Sequence, residues 1–127
     1  MPNPKPMSPL SEAQLEIMDI LWRAGGGTVA DVLEQLRRPV SRNTVQTMLS
    51  RLDQRGWLTH RTRDGAFFYT PTVPRDQVQH QILRRVVDTV FGGSTAGMLM
   101  ALLQDGSLTR EEAGRIRRMI EDAEERR

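Results

Sequence analysis

The residues with the clearest chemical potential lie in one segment, SRNTVQTMLSRLDQRGWL, between Ser41 and Leu58. At about 100° per residue it predicts an amphipathic helix whose apolar stripe packs on a core; that stripe consists of Val45, Met48, Leu49 and Leu52. The other side carries short hydrogen-bonding groups and an arginine, namely Asn43, Thr44, Gln46, Thr47, Ser50, Arg51 and Gln54. Small polar groups reach base edges, and arginine binds phosphate or guanine. This face therefore indicates a DNA-reading helix.

Positive charge is concentrated around the same segment. Between Leu36 and Arg63 there are seven arginines and one acidic residue, Asp53, whereas Asp76 to Arg127 holds eight arginines and nine acidic residues. A positive field confined to one third of the chain is typical of a surface that binds phosphates. The alternative, from charge alone, is an arginine-rich surface with no ligand.

Three predicted helices position this face. Ser11 is a candidate N-cap for the first helix, since a serine before an apolar-periodic run marks a helix start. Thr28 and Asp31 have the spacing of a capping box for a second, short helix, which we expect Pro39 to close. Ser41 then opens the third helix, which carries the polar face.

The period of the pattern changes after Gly56, the predicted end of the third helix. Trp57–Arg63 and Ala66–Thr70 are strand-like runs separated by Asp64-Gly65, a strong signal for a hairpin with a tight turn. Three helices followed by a two-stranded hairpin is the order of a winged helix-turn-helix domain. In such a domain the third helix enters the major groove, and we expect the hairpin, or wing, to lie along the backbone or minor groove.

Three more helices are predicted after the hairpin, over Arg75–Phe91, over Ser94–Leu103 and after the capping box of Thr109 and Glu112. Such a small unit buries too little surface to be stable alone, so it is expected to form half of a two-fold dimer. The alternative is that these helices pack back on the winged helix in a monomer. The predicted dimer interface comprises Val86, Val90, Met98, Leu99, Leu102, Leu103, Ile116 and Ile120.

The sequence therefore predicts a mainly α fold with a small β-hairpin, in which a winged helix-turn-helix domain is followed by a helical dimerisation domain. Residues 1–9 are expected to be a disordered arm, residues 10–73 the DNA-binding domain and residues 74–127 the dimerisation domain.

Composition narrows the possible functions. The chain has no cysteine, which removes disulfides, thiolate metal sites and cysteine nucleophiles. It has no apolar run of about 18 residues and no signal peptide, so we expect a cytoplasmic protein without membrane insertion. His60 and His80 lack metal-ligand spacing, and no nucleophile elbow or phosphate-binding glycine loop is present. We expect no catalytic residues, metal or cofactor.

Several short segments follow one another along the chain, namely LSEA at 10–13, EIM at 16–18, LW at 21–22, NTVQTML at 43–49, RL at 51–52, GWL at 56–58 and DG at 64–65 with Tyr69. In their order and spacing these segments resemble the BlaI/MecI/CopY family of bacterial repressors, from Leu10 to the last helix. The resemblance implies a homodimeric winged-helix repressor of genes under a palindromic operator.

The resemblance also implies site residues and a partner. Base contacts map onto Asn43, Thr44, Gln46 and Thr47. Repression in the family ends when a membrane-embedded sensor metalloprotease is activated and the repressor is cut in its dimerisation domain. The resistance repressors are cut at Asn-Phe, whereas the aligned pair here is Ala101-Leu102. The copper-responsive branch of the family uses a C-terminal cysteine cluster. This chain has no cysteine, so copper sensing by that route is excluded.

Side-chain chemistry predicts where phosphates bind. The expected phosphate contacts are Ser41, Arg42, Ser50, Arg51, Arg61 and Arg63, because hydroxyls, arginines and a helix N-terminus all bind phosphate oxygens. A homodimer would place two third helices in successive major grooves, about 34 Å apart.

Two alternatives stay open at the level of sequence. One is a MarR-like or PadR-like regulator with a small-molecule pocket at the dimer interface, near Met98 and Met100. The other is a winged helix that binds protein and never DNA, as a scaffold.

Overall fold

The computed structural model describes residues 10–126, so the predicted disordered arm lies outside the described residues. Within them the order of elements is α1 (Glu12–Ala24), α2 (Val29–Gln35), α3 (Arg42–Gln54), β1 (Leu58–Arg63), β2 (Ala66–Pro71), α4 (Arg75–Val90), α5 (Thr95–Gln104) and α6 (Arg110–Glu125). This order confirms the predicted mainly α fold with a β-hairpin and a winged helix. The chain forms two compact units, divided between Ile82 and Leu83; the predicted domain boundary at residues 73 and 74 stays a prediction.

Helix caps lie where the sequence predicts them. The Ser11 side chain accepts a hydrogen bond from the Gln14 N–H and begins α1, and Thr28 does the same with Asp31 at α2. Ser41 caps α3 by accepting from the Thr44 N–H. Each cap satisfies a backbone donor that has no partner within the helix. The starts of these helices are therefore local properties of the sequence.

The predicted end of the second helix is wrong. Helix α2 ends at Gln35, well before Pro39, because Leu36 adopts an extended conformation with φ −69° and ψ 133°. Leu36 packs half-buried against the core, and the Arg38 guanidinium lies 3.8 Å from the Glu16 carboxylate. These tertiary contacts end the helix before the proline can. Smaller shifts place the start of β1 at Leu58 and the end of α4 at Val90.

The core of the first unit is built on the apolar side of α3. Val45, Leu49 and Leu52 are fully buried, whereas Met48 is half-buried. They pack with buried residues from the other elements, namely Ile17, Met18, Ile20, Leu21, Val29, Val32, Trp57, Leu58, Tyr69, Val73 and Val78. With one side of α3 fixed in this core, the opposite side faces solvent.

The two tryptophans of the first unit differ in burial. Trp57 is buried, as expected of a core residue. Trp22 is only half-buried, and its indole N–H donates a hydrogen bond of 2.9 Å to the Val73 carbonyl. The Arg75 guanidinium lies 5.7 Å from the centroid of the Trp22 ring. The start of α4 is therefore held against α1 within the first unit.

Strands β1 and β2 form an antiparallel hairpin that turns at Asp64 and Gly65. Both turn residues have positive φ, 52° and 79°, as a type I′ turn requires. A contact that the sequence did not predict attaches the hairpin to the loop before α2. Gly27 and Tyr69 exchange two backbone hydrogen bonds of 2.9 and 2.8 Å, which form an isolated bridge. Strand β2 is thus paired with β1 on one edge and with Gly27 on the other.

The second unit, which begins at Leu83, exposes much of its apolar surface. Helices α5 and α6 contain no buried residue among those described, and the large exposed side chains are Leu83, Val90, Leu99, Met100, Leu102, Leu103, Met119 and Ile120. Among the described residues no single helix is long and apolar enough to cross a membrane. Only α4 and α5 taken together, across a bend of 94°, reach that length and composition.

Candidate nucleic-acid interface

The solvent-facing side of α3 forms one continuous polar surface. Six side chains line a shallow depression of about 490 Å³: Asn43, Gln46, Thr47, Ser50, Arg51 and Gln54. All are exposed except Ser50, which is half-buried. The structure therefore brings together five of the predicted DNA-contacting residues and adds Gln54, which the sequence placed on this face without assigning it a contact. The surface offers amide, hydroxyl and guanidinium groups, which are the groups that read base edges and bind phosphates.

At the N-terminus of α3, two residues that were predicted to contact DNA form a helix cap. The Ser41 hydroxyl accepts from the Thr44 N–H at 3.1 Å and lies 2.8 Å from the Thr44 hydroxyl. Thr44 does not line the depression. Both side chains therefore stabilise the start of the helix, and a DNA contact by either would be made in addition to this cap. Arg42, the first residue of α3, is exposed.

A second concave surface lies between α3 and the wing, within the first unit. This cleft has a volume of about 290 Å³, and its lining residues are Thr28, Val29, Ala30, Arg42, Gln46, Gly65, Ala66, Phe67 and Tyr69. Gln46 lines both the cleft and the α3 depression. The two surfaces therefore meet at Gln46 of α3.

The two faces of the wing differ in chemistry, because side chains alternate along a strand. The guanidinium groups of Arg61 and Arg63 lie 5.5 and 4.9 Å from the centroid of the Phe68 ring, at cation–π distance. Phe67, by contrast, lines the cleft next to α3. The predicted phosphate contacts Arg61 and Arg63 are thus exposed, but on the face of the wing opposite Phe67.

A histidine links the wing to α3. His60 Nδ1 contacts the carboxylate of Asp53, near the end of α3. On its other side the His60 ring stacks on Phe67, with ring centroids 4.4 Å apart. Among residues 10–126 no cluster of three or more histidine, aspartate or glutamate side chains could hold a metal ion. The position of His60 indicates a structural role between α3 and the wing.

Sequence reasoning missed the cleft because it is assembled from three separate segments. Thr28–Ala30, Arg42 with Gln46, and Gly65–Tyr69 are distant in the chain and meet only in the fold. The available signal was strand alternation, which places Phe67 and Tyr69 on one face. Tyr69 is buried, whereas Phe67 at the tip is 49% exposed.

The chain matches known repressors in sequence. A model of the penicillinase repressor family matches residues 10–122. The chain is 26% identical over 125 residues to the penicillinase repressor of Bacillus licheniformis, covering 97% of this chain and 98% of that one. It is 20% identical over 113 residues to the methicillin resistance regulatory protein MecI of Mammaliicoccus sciuri, covering 87% and 92%.

Among solved structures, the solution structure of the DNA binding domain of the repressor BlaI aligns at 32% identity. It covers 57% of this chain and 85% of that domain, with a TM-score of 0.49. Because the family model extends from the start of α1 into α6, it covers both structural units. The chain belongs to the penicillinase repressor family.

Proposed function

We propose that this DNA-binding repressor acts as a homodimer that covers a promoter at an inverted-repeat operator. The exposed polar side of α3 is the observation that carries the proposal, because its apolar side is fixed in the core. A helix held in this way can enter the major groove without unfolding. Two copies related by a two-fold axis would place their α3 helices in successive major grooves.

Affinity and sequence preference come from different residues. Arg42, Arg51, Arg61 and Arg63 are exposed cations that would neutralise phosphates, and each such contact contributes salt-dependent affinity. Asn43, Gln46 and Thr47 are exposed on α3 and would discriminate bases at about 1–3 kcal/mol for each well-formed contact. Ser41, Thr44 and Ser50 are proposed as supporting contacts near the same helix.

Dimerisation is proposed for the second unit. Five of the eight predicted interface residues are exposed in the single chain, namely Val90, Leu99, Leu102, Leu103 and Ile120, and the other three, Val86, Met98 and Ile116, are half-buried. A second copy would remove this surface from water, and apolar burial drives association. Because two linked half-sites bind DNA more tightly than two separate ones, loss of the dimer would also weaken operator binding.

Release from the operator is proposed to follow proteolysis in the dimerisation domain, with Ala101-Leu102 as the candidate site, after a signal from a membrane-embedded sensor metalloprotease. Both residues are exposed and lie inside α5. Proteases cut transiently opened backbone, so this part of α5 must unwind before cleavage. A cut there would divide the unit that is proposed to join the two protomers.

A mobility-shift experiment with parallel mass measurement tests the proposal. We expect the full chain to be a dimer at micromolar concentration and to shift duplex DNA from upstream of its own gene. It should bind a scrambled duplex of equal length less tightly, and added salt should weaken binding to both. A monomer at that concentration, or no shift in dilute buffer, would overturn the proposal.

A further inference from the structure

Phe67 is an exposed aromatic residue on β2, next to the turn of the wing. Its ring is 49% exposed, although Tyr69 on the same face is buried. It lines the cleft between α3 and the wing, together with Arg42 and Gln46. An apolar ring left in water beside a cation and a DNA-reading side chain indicates a ligand with both an apolar and an anionic part.

We propose that the cleft holds one sugar-phosphate strand of the operator, with Phe67 packed on a deoxyribose and Arg42 on a neighbouring phosphate. This inference rests on the proposed function and extends it to a contact that the sequence did not predict. The sugar of DNA presents C–H groups without a 2′-hydroxyl, so an aromatic ring can pack on it. The phosphate carries the charge that Arg42 complements.

The position of the cleft favours a DNA strand as its occupant. Gln46 lines both the cleft and the α3 depression, so the cleft continues the surface proposed for the major groove. If α3 lies in that groove while the wing contacts the backbone or minor groove, the strand between the two grooves must pass between α3 and the wing. Among the described residues that line the cleft, Arg42 is charged and none is acidic.

The Phe67 ring is held in place before any ligand binds. It stacks on His60 at 4.4 Å and meets Tyr69 edge-on at 6.3 Å. His60 is in turn bound to Asp53 of α3. A ring that is already fixed loses little side-chain entropy on binding. His60 is therefore a positioning residue, and Phe67 makes the contact.

Single-sugar modification of the DNA tests the contact. An operator duplex is selected from random sequences with the full chain, and single 2′-O-methyl nucleotides are then placed along one half-site. For the wild type we expect one or two adjacent positions at which the methyl group lowers affinity by about tenfold, because it collides with Phe67. For Phe67→Ala we expect affinity for unmodified operator to fall by about tenfold, and the modified positions to lose their effect.

Two controls keep the result specific. Thr62→Ala changes the cross-strand partner of Phe67 on the same face and should keep the wild-type modification profile. Phe67→Leu keeps an apolar side chain, so it tests the contact if the alanine variant unfolds. It should weaken operator binding by about threefold, and the 2′-O-methyl positions that lower affinity should be the same as in the wild type.

The outcomes separate this inference from the proposed function. Full DNA affinity in Phe67→Ala would assign the ring to hairpin stability or to a protein partner and overturn the inference. The same holds if the wild type and Phe67→Ala share one modification profile. A wild type that selects no DNA sequence at all would instead remove the proposed function.

Discussion

Gln46 shows how one residue can serve two parts of the interface. It lies on the exposed side of α3 and also lines the cleft beside the wing. A glutamine pairs bidentately with adenine in the major groove, so its amide would read a base next to the strand that enters the cleft. In that arrangement, base preference at that position would be linked to the placement of the backbone.

Arg51 is expected to bind phosphate without reading sequence. Replacing Arg51 by Ala should lower affinity for operator and random duplex alike, and should reduce the slope of log affinity against log salt by about one. Titration at several salt concentrations measures this slope. Arg84→Ala, which removes an exposed arginine paired with Asp88 in α4, serves as the control. An unchanged slope in Arg51→Ala would show that Arg51 contacts no phosphate.

Thr47 is expected to contribute to sequence preference. Thr47→Ala should cost about 1–3 kcal/mol on the operator and much less on a scrambled duplex, because one base contact is lost while phosphate contacts remain. Competition binding with both duplexes measures the ratio. The control is Thr59→Ala, an exposed threonine on β1, which should leave the ratio unchanged. Equal losses of Thr47→Ala on both duplexes would remove Thr47 from base reading.

At the scale of elements, Gly26 determines how closely the wing approaches the loop before α2. A Cβ there would lie 2.6 Å from the Phe68 ring and 2.9 Å from the Tyr69 carbonyl, at a φ of 129°. Gly26→Ala should therefore lower the free energy of unfolding by about 3 kcal/mol. Gly25, with φ 78° and open space around its Cβ position, is the matched control, and Gly25→Ala should cost about 1 kcal/mol.

Urea unfolding of the two glycine variants measures the difference. Both positions have positive φ, but 129° at Gly26 lies farther from the left-handed helical region than 78° at Gly25, so the excess loss at Gly26 reports the contact with β2 together with additional backbone strain. Equal losses would mean that the hairpin moves away at little cost, and that the bridge between Gly27 and Tyr69 is weak.

The start of α6 is expected to be sensitive to acid. The Thr109 N–H donates to the Glu112 carboxylate at 2.9 Å, which lowers the pKa of Glu112 below its ordinary value of 4.5, and the Thr109 side chain and Arg115 act in the same direction. Because the folded state favours the ionised carboxylate, Glu112 stabilises the fold at pH values above its ordinary pKa of 4.5. This stability is lost as the pH falls through the folded pKa.

Glu112→Gln tests this part of the acid sensitivity. The glutamine side chain can still accept from the Thr109 N–H but does not titrate, so the variant should lose less stability than the wild type between neutral pH and about pH 3. Thermal unfolding across that range gives the comparison. Glu111→Gln makes the same change of charge at the neighbouring exposed position and should follow the wild type. Identical acid profiles for Glu112→Gln and wild type would contradict the prediction.

Local signals in the sequence predicted most of these elements. Ser11, Thr28, Ser41 and Thr109 begin helices because a side-chain oxygen meets a nearby backbone N–H, and this depends on residues three apart. The type I′ turn follows from the Asp-Gly pair in the same way.

Non-local features escaped prediction. The bridge from Gly27 to Tyr69 and the early end of α2 depend on segments that meet only after folding. The polar face of α3 could be predicted because one helix carries it, whereas the cleft takes its lining from three segments. Periodicity describes a single element, so it cannot predict a surface that forms between elements.

At the scale of the whole molecule, the exposed apolar residues of the second unit are expected to meet a second copy. Leu103 is 57% exposed in the single chain. Leu103→Glu should weaken the dimer by roughly a hundredfold, about 3 kcal/mol, because a charge would be buried without a partner. Sedimentation equilibrium measures the effect, and binding to the full operator should fall towards that of a half-site.

Met119→Glu provides a matched control for the dimer. Met119 is 69% exposed and apolar, but it lies outside the predicted interface. We expect the Met119→Glu variant to dimerise with the affinity of the wild type. If Met119→Glu dissociated the dimer and Leu103→Glu did not, the interface would include Met119 of α6 and exclude Leu103 of α5, contrary to the prediction.

The placement of Trp22 and Trp57 has a practical consequence. The chain has two tryptophans and one tyrosine, and all three lie in the first unit, before the division at Ile82. Intrinsic fluorescence therefore follows the melting of the winged helix alone, whereas far-ultraviolet circular dichroism follows the helices of both units. Superimposable melting curves from the two probes would mean that the units lose their structure in one cooperative step, and separate curves would mean that each unit melts independently.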